Sequence, residues 1–188
     1  MQNQMIENFV QFTHLEKLYG YLPGMDEALM ARLFGLDLEG YREIKCRFDA
    51  NAREAARELL RDSSFARRVD RLPFRSGETL IGIGDSLTDD LQSWLEIVRQ
   101  LLEERRPHDG IRVVNMGLSA HTTAMVLRRF VPNVAAQRPD WILCLLGGND
   151  VTRIGPEPNK PQVSVEETAK NLEAMRRIAR EQTEARWV

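Results

Sequence analysis

Three short polar stretches of this sequence each carry a residue type that serves in acyl-transfer chemistry. Ser86 lies in GDSLTD, Gly117 in NMGLSAHT and Asn149 in GGND. A serine hydroxyl can attack an ester carbonyl, and a backbone N–H together with an amide side chain can hold the oxyanion that forms. Taken singly, each residue is more simply explained as a helix-opening or turn residue. Their placement in the fold therefore decides between the two interpretations.

An apolar segment of strand length comes directly before each stretch. These segments are TLIGIG, IRVVNMG and DWILCLL, and the last is apolar throughout, as in a strand that is covered on both faces. Parallel strands present their carboxyl ends at one edge of a sheet, which is where ligands bind in open α/β folds. We therefore expect Ser86, Gly117 and Asn149 to lie at the same edge.

Helical patterns alternate with these strands. They cover DDLQSWLEIVRQLLEERR, TTAMVLRRFVPNVAAQ and VEETAKNLEAMRRIAREQ, with Ser164 as the N-cap of the last and Pro132 expected to bend or shorten the second. Alternating strands and helices predict βαβ units, a parallel sheet and right-handed crossovers. The fold class is therefore α/β. Residues 1–75 instead predict helices alone, such as one that Asp26 caps, and the linker RLPFRSGE leads into the strands.

Together the three stretches resemble the first three blocks of the SGNH/GDSL hydrolases, in the family's order and each after a strand. The resemblance covers Thr79 to Val188. It implies a flavodoxin-like three-layer parallel sheet with five strands in the complete domain. It also implies that Ser86 is the nucleophile and that Gly117 and Asn149 are oxyanion donors, with Asp85 and Asp150 as supporting neighbours.

Two features depart from that family pattern. Ala120 stands where the second block often has another glycine, and the last block, an Asp-x-x-His that supplies the base, is not in the sequence. His14 lies in the helical segment and His108 at the opposite end of the predicted sheet, while His121 is interpreted as a pocket-rim or helix-opening residue. We expect the base to be a histidine downstream of residue 188, because a serine without a base is a weak nucleophile.

The last residues, EARWV, follow the final helix at the usual distance for another strand. Because a parallel strand needs cover, we expect this chain to be the N-terminal part of a longer protein. The alternative is a short natural chain whose final strand forms a sheet edge. The domain prediction is a helical extension over 1–75 and a partial, truncated hydrolase-like α/β domain over 76–188. The extension could cap a pocket, pack structurally or form a homo-oligomer surface.

Composition excludes several other function classes. With 26 basic and 28 acidic residues the net charge is −2, and no basic block indicates a nucleic-acid partner. The N-terminus lacks a signal-peptide pattern, no apolar run is long enough to cross a membrane, and two distant cysteines indicate no disulfide framework. The default location is the cytoplasm. We predict no metal and no cofactor, since Asp85, Asp89 and Asp90 more simply complement a helix start and no nucleotide-binding fingerprint is present.

The sequence thus predicts a serine ester hydrolase that acts on a small-molecule ester through an acyl-enzyme on Ser86. The alternative is a non-catalytic ligand-binding or assembly module that keeps the oxyanion-type pocket but lacks the base. Acyl length and substrate class stay open among sugar acetates, lysophospholipids and simple esters.

Overall fold

The computed structural model describes residues 2–157 and 159–188 of the chain, and these fall into two compact units. The helical unit comprises the described residues up to Ser76 together with Asp90–Gly110, and the α/β unit comprises Gly77–Asp89 and the described residues of Ile111–Val188. The helix that follows the first strand thus groups with the N-terminal helices. The predicted division at residues 75 and 76 stays a prediction.

The elements follow one another in the chain in a simple order. The helices are α1 (Gln2–Phe12), α2 (Glu16–Tyr19), α3 (Glu27–Leu33), α4 (Leu38–Leu60), α5 (Ser63–Asp70), α6 (Ser86–Asp89), α7 (Trp94–Arg105), α8 (Thr123–Asn133) and α9 (Val165–Gln182). The strands are β1 (Thr79–Gly84), β2 (Arg112–Asn115), β3 (Trp141–Leu145) and β4 (Arg186–Trp187). None of the helices described here is long and apolar enough to cross a membrane.

The helical unit is organised around α4, which is the longest helix described. Asp37 caps it by accepting the Gly40 N–H at 2.8 Å, and its apolar face buries Tyr41 and Phe48. Asp26 caps α3 in the same way through the Leu29 N–H at 2.9 Å, as the sequence predicts. Helix α7 begins at Trp94, with Ser93 as its N-cap, and not at Asp89 as the sequence pattern suggests.

The α/β unit contains one sheet with the strand order β2-β1-β3-β4, and all three pairings are parallel. In the register of the central strand, Ile81 lies beside Val114 on one side and Ile142 on the other. This sheet and its flanking helices confirm the predicted α/β class. The predicted fourth strand is formed by Arg186–Trp187, which pairs with β3.

Two helices cover one face of this sheet and form its core. Ile81, Ile83 and Ile142 pack in one cluster with residues of α8 and α9, namely Val126, Phe130, Met175 and Ala179. Phe130 is fully buried, and its ring centroid lies 6.1 Å from that of Trp187. Pro132 lies one residue before the end of α8, so this helix is shorter than its apolar pattern, as expected. Ser164 caps α9 by accepting the Glu167 N–H at 3.2 Å.

Phe130→Ala should lower the free energy of unfolding by about 3–5 kcal/mol, because it leaves a cavity between α8 and the sheet. The matched control is Val131→Ala at the next position of the same helix, where the side chain is 42% exposed. That change should alter stability by less than about 0.5 kcal/mol. Urea unfolding followed by circular dichroism measures both. Equal effects of the two variants would contradict this description of the core.

Candidate active site

The first polar loop, residues 84–89, carries Ser86 immediately after β1. Ser86 is the first residue of α6 and is partly exposed. Asp85 before it is buried, and its Oδ1 accepts the Leu87 N–H at 3.0 Å. The Asp85 carbonyl also accepts the N–H groups of Thr88 and Asp89 at 3.0 and 2.8 Å. The side chain and main chain of Asp85 therefore fix the turn on which the serine is presented.

Glycine is required where this loop meets its neighbours. A Cβ atom at Gly84 would lie 2.1 Å from Thr88 Oγ1 and 2.6 Å from the Leu145 carbonyl oxygen. A Cβ atom at Gly117 would lie 2.5 Å from the Asp89 backbone nitrogen. All three distances are shorter than those that real Cβ atoms show, so a side chain at either position would force the loops apart.

The second polar loop, residues 115–122, is tied to the first by side-chain hydrogen bonds. Asn115 donates from Nδ2 to the Thr88 carbonyl at 2.6 Å. Ser119 donates its N–H and its hydroxyl to Asp89 Oδ2, each at 2.8 Å. Asp89 is completely buried, and its carboxylate therefore anchors the second loop to α6.

The third polar loop, residues 147–150, contacts both of the others. Asn149 donates from Nδ2 to the His121 carbonyl at 3.0 Å, which joins it to the second loop. A Cβ atom at Gly148 would lie 3.3 Å from Asp85 Oδ2, so this backbone lies close to the first loop. The structure thus brings together the three loops that carry Ser86, Gly117 and Asn149. The chemical roles of these residues stay predictions.

Both candidate oxyanion donors are engaged in the structure. The Gly117 N–H donates to Asn115 Oδ1 at 3.0 Å, so a developing oxyanion would compete with this side chain for the hydrogen. The Asn149 amide group has two N–H bonds and uses one of them on the His121 carbonyl. The geometry of the group directs its second N–H away from that carbonyl.

Asp150 holds the third loop from inside the protein. It is completely buried and accepts the Thr123 N–H at 3.0 Å, the Thr123 hydroxyl, and the Thr168 hydroxyl at 2.9 Å. Asn171 donates in turn to Thr123 Oγ1 at 3.1 Å. These contacts join the loop to the start of α8 and to α9. Asp150 therefore supports the loop from its buried side.

Arg129 is a buried charged residue on α8 that the three polar sequence motifs do not predict. Its side chain donates from Nη2 to the Met116 carbonyl at 2.7 Å and from Nε to His121 Nδ1 at 3.3 Å. Burial lowers its pKa to about 10, and the nearby Asp89 carboxylate opposes that effect. Arg129 follows Val126 by three positions and directly precedes Phe130. This spacing places it on the apolar face of the helix and could have predicted that it is buried.

His121 is not suited to act as the general base. Since Nδ1 accepts the Arg129 Nε–H, the neutral ring carries its proton on Nε2. Burial, followed by the Arg129 charge, lowers the His121 pKa to about 4, against a smaller opposite effect of Asp89. Of the other two histidines, His14 is buried and His108 is exposed, and both belong to the helical unit.

The three aspartates at the start of the predicted helix have separate partners and do not act as one group. Asp85 caps α6, Asp89 binds Ser119, and Asp90 accepts hydrogen bonds from Gln11 Nε2 and the Gln92 N–H, each at 2.8 Å. The described part of the chain contains no group of three or more His, Cys, Asp or Glu side chains that could hold a metal ion.

Comparison with known proteins shows that this chain is similar to esterases. The model of the GDSL-like Lipase/Acylhydrolase family matches residues 83–188. An acetylxylan esterase of Geobacillus stearothermophilus is 38% identical over 92 residues, which cover 42% of this chain and 42% of that protein. Esterase TesA of Pseudomonas aeruginosa is 32% identical over 106 residues, which cover 53% of this chain and 50% of that protein. The chain spans about half the length of these curated relatives or less.

A solved structure of the Geobacillus acetylxylan esterase matches with a TM-score of 0.53 and 29% identity, over 60% of this chain and 59% of that one. Three further matching structures are of catalytic mutants of that esterase, in which a histidine, an aspartate or a serine is replaced by alanine.

We predict that His121 titrates near pH 4 in the folded protein. Its pKa is lowered from 6.5, so the unfolded chain binds this proton at a higher pH than the folded protein does. The free energy of unfolding should therefore fall as the pH is lowered from about 6.5 to about 4, and the contribution should be constant below that range. An NMR titration of the ring gives the midpoint directly.

His121→Asn is the control for this titration, since its Oδ1 can accept from Arg129 but does not titrate in this range. The difference in stability between the protein and this variant isolates the histidine. A midpoint at or above 6.5 would contradict the burial and the Arg129 contact.

Ala120→Gly should stabilise the protein. Ala120 has a φ of 64°, in the left-handed region where a side chain costs about 1 kcal/mol or more. Glycine removes that strain but gains freedom in the unfolded chain, which leaves a net increase of about 0.5–1 kcal/mol in the free energy of unfolding. The control is Ala169→Gly on the exposed face of α9, which should destabilise by roughly 1 kcal/mol. Chemical unfolding curves measure the free energy of unfolding of both variants. A loss of stability in both would contradict the backbone strain inferred at Ala120.

Proposed function

Because this chain belongs to the GDSL-like lipase/acylhydrolase family, we propose that it supplies the nucleophile and the oxyanion donors of an ester hydrolase. The observation that carries the proposal is the mutual contact of the loops bearing Ser86, Gly117 and Asn149. The names of the two curated relatives, acetylxylan esterase and esterase TesA, support the same class of reaction.

In the proposed first step, the Ser86 hydroxyl oxygen forms a bond to the acyl carbon of the ester. The hydroxyl proton passes to a histidine base, and the electron pair of the carbonyl bond moves onto its oxygen. The N–H groups of Ser86 and Gly117 and the Asn149 amide would donate to that oxyanion. The tetrahedral intermediate then expels the alcohol, which takes the proton from the imidazolium, and an acyl group stays on Ser86.

Water completes the proposed cycle. It attacks the acyl carbon while the same histidine accepts one of its protons, and the second intermediate expels the serine oxygen. That oxygen regains a proton from the imidazolium, and the carboxylic acid leaves. The number of protons on the enzyme is the same at the end as at the start.

The base in this proposal is a histidine downstream of residue 188. His121 is occupied at Nδ1 by the Arg129 guanidinium and is neutral above about pH 4. The acetylxylan esterase relative supports a separate serine, aspartate and histidine, since catalytic mutants of all three types are known for it. The present match covers 59% of that chain.

A non-catalytic module is the second candidate, and one observation favours it. The Gly117 N–H already donates to Asn115 Oδ1 at 3.0 Å. In a non-catalytic module this internal acceptor would not need to be displaced by an oxyanion. The reading frame after codon 188 separates the candidates: an in-frame continuation with Asp-x-x-His supports the hydrolase, and a stop codon supports the module.

The proposed substrate is a small-molecule ester, and a sugar acetate is the first one to test because of the acetylxylan esterase relative. A cytoplasmic location and a homo-oligomer formed through residues 1–75 stay proposals that the sequence alone supports.

Ser86→Ala should abolish both ester hydrolysis and covalent labelling by a fluorophosphonate probe, because it removes the attacking oxygen. The measurement is 4-nitrophenyl acetate hydrolysis together with the intact mass after labelling, for the 188-residue chain and for any longer form. Ser63→Ala, at an exposed serine of the helical unit, is the matched control and should change neither readout. Circular dichroism checks that Ser86→Ala keeps the fold. Wild-type turnover in Ser86→Ala would refute the assignment, and labelling only in the longer form would indicate a downstream base.

A further inference from the structure

Arg129 is a charged side chain placed almost entirely inside the α/β unit, with 6% of its surface exposed. A buried guanidinium is expensive unless its donors are satisfied. Here Nη1 is buried without an acceptor among the described residues. Burying this guanidinium therefore carries a desolvation cost that its hydrogen bonds do not fully offset. Its bonded nitrogens, Nε and Nη2, are both directed at the second polar loop.

The first of these bonds acts on the peptide group that contains the Gly117 N–H. Nη2 donates to the Met116 carbonyl at 2.7 Å, and that carbonyl belongs to the same planar unit as the Gly117 nitrogen. Because the unit is rigid, holding its oxygen fixes the direction of its N–H on the opposite side. A hydrogen bond to the oxygen also polarises the N–H and makes it a stronger donor.

The second bond acts on the residue that positions the Asn149 amide. Nε donates to His121 Nδ1 at 3.3 Å, and the His121 carbonyl accepts from Asn149 Nδ2 at 3.0 Å. The ring is thereby held in one orientation and one tautomer. One guanidinium therefore contacts the residue that precedes Gly117 and the residue that binds the Asn149 amide.

The opposite charge that affects the pKa of Arg129 is the Asp89 carboxylate. The Asp89 carboxylate interacts with both Arg129 and His121, and it is also the acceptor of the Ser119 N–H and hydroxyl. With a pKa of about 10, Arg129 is positively charged at neutral pH. A fixed positive charge behind the Gly117 peptide favours negative charge on the other side of it.

We propose that Arg129 is a positioning residue for two of the three proposed oxyanion donors, holding the Met116–Gly117 peptide group directly and the Asn149 amide through His121. The inference rests on the proposed ester-hydrolase function, and it adds to that function a residue outside the three polar loops. Arg129 touches no reacting atom in this proposal, since its effect passes through Gly117 and Asn149.

Arg129→Met keeps the length and apolar bulk of the side chain but removes both hydrogen bonds. It should lower kcat by about ten- to a hundred-fold and leave KM within about twofold, because oxyanion donors act mainly in the transition state. Arg129→Lys, which keeps a positive donor for the Met116 carbonyl, should recover part of the loss. It also serves as the testable variant if Arg129→Met does not fold. A rise in KM with unchanged kcat would overturn the proposal.

A double-mutant cycle separates positioning from a merely structural role. Asn149→Ala should lower kcat by about a hundred- to a thousand-fold by itself. In that background Arg129→Met should cost less than it does in the unmodified protein, since one of its two targets is gone. Fully multiplicative effects would overturn the inference. Trp141→Phe, which breaks the 2.7 Å bond to Glu78 at the other end of β3, should leave kcat unchanged in either background.

NMR of the unliganded 188-residue chain tests the inference without any ester. Arg129→Met should shift the Gly117 backbone amide and the Asn149 side-chain amide resonances, while Trp141→Phe should leave both in place. Unchanged resonances in Arg129→Met would overturn the positioning role whatever the activity is. If no form of the protein labels at Ser86 or hydrolyses an ester, the proposed function fails, and the kinetic part of this proposal fails with it.

Discussion

The site depends on one close contact between two stretches of backbone. The second polar loop lies against α6 so closely that a Cβ atom at Gly117 would be 2.5 Å from the Asp89 nitrogen. This approach lets Asn115 reach the Thr88 carbonyl and lets Ser119 reach the Asp89 carboxylate. Without it, the serine at the start of α6 and the N–H of residue 117 would belong to separate surfaces. A glycine is therefore needed for packing before any question of catalysis arises.

Two buried carboxylates then give the loops their fixed positions. Asp89 accepts from Ser119 of the second loop, while Asp150 of the third loop accepts from Thr123 on α8 and Thr168 on α9. Each buried carboxyl group accepts hydrogen bonds from N–H and O–H donors, which is the condition for keeping such a polar group away from water. The fixed positions of the three polar loops thus come from hydrogen bonds on the buried side of these loops.

The elements of the α/β unit could be predicted from the sequence because each depends on short-range patterns. Apolar runs of strand length and helical spacing suffice for β1 to β3, α8 and α9. The grouping of α7 with the N-terminal helices could not be predicted in this way, since it depends on which surfaces are complementary after folding. The predicted start of α7 at Asp89 is too early. Asp89 and Asp90 are residue types that often cap a helix, but their carboxylates bind Ser119 and Gln11 instead.

The polar loops themselves could be found because residue type and position after a strand are both visible in the sequence. The hydrogen bonds between these loops could not be predicted. Asn149 and His121 are 28 positions apart, and the sequence does not indicate which acceptor the Asn149 amide binds. The left-handed backbone conformation of Ala120 could not be predicted either, because alanine rarely adopts it. The burial of Arg129 is not expected from residue type, because an arginine in an amphipathic helix is usually solvated; only its three-residue spacing from Val126 indicates the buried face.

His121 shows why residue type and location do not settle a catalytic role. It lies at the correct edge of the sheet, yet its Nδ1 and its carbonyl both act as acceptors, toward Arg129 and Asn149. A ring that bound a second proton on Nδ1 would present a hydrogen to the Arg129 guanidinium, and both groups would carry positive charge. The network is therefore consistent only with a neutral imidazole, whereas a general base must be able to take up a proton during each turnover. The Arg129 contact that holds the His121 ring in one orientation thus also prevents that ring from acting as a general base.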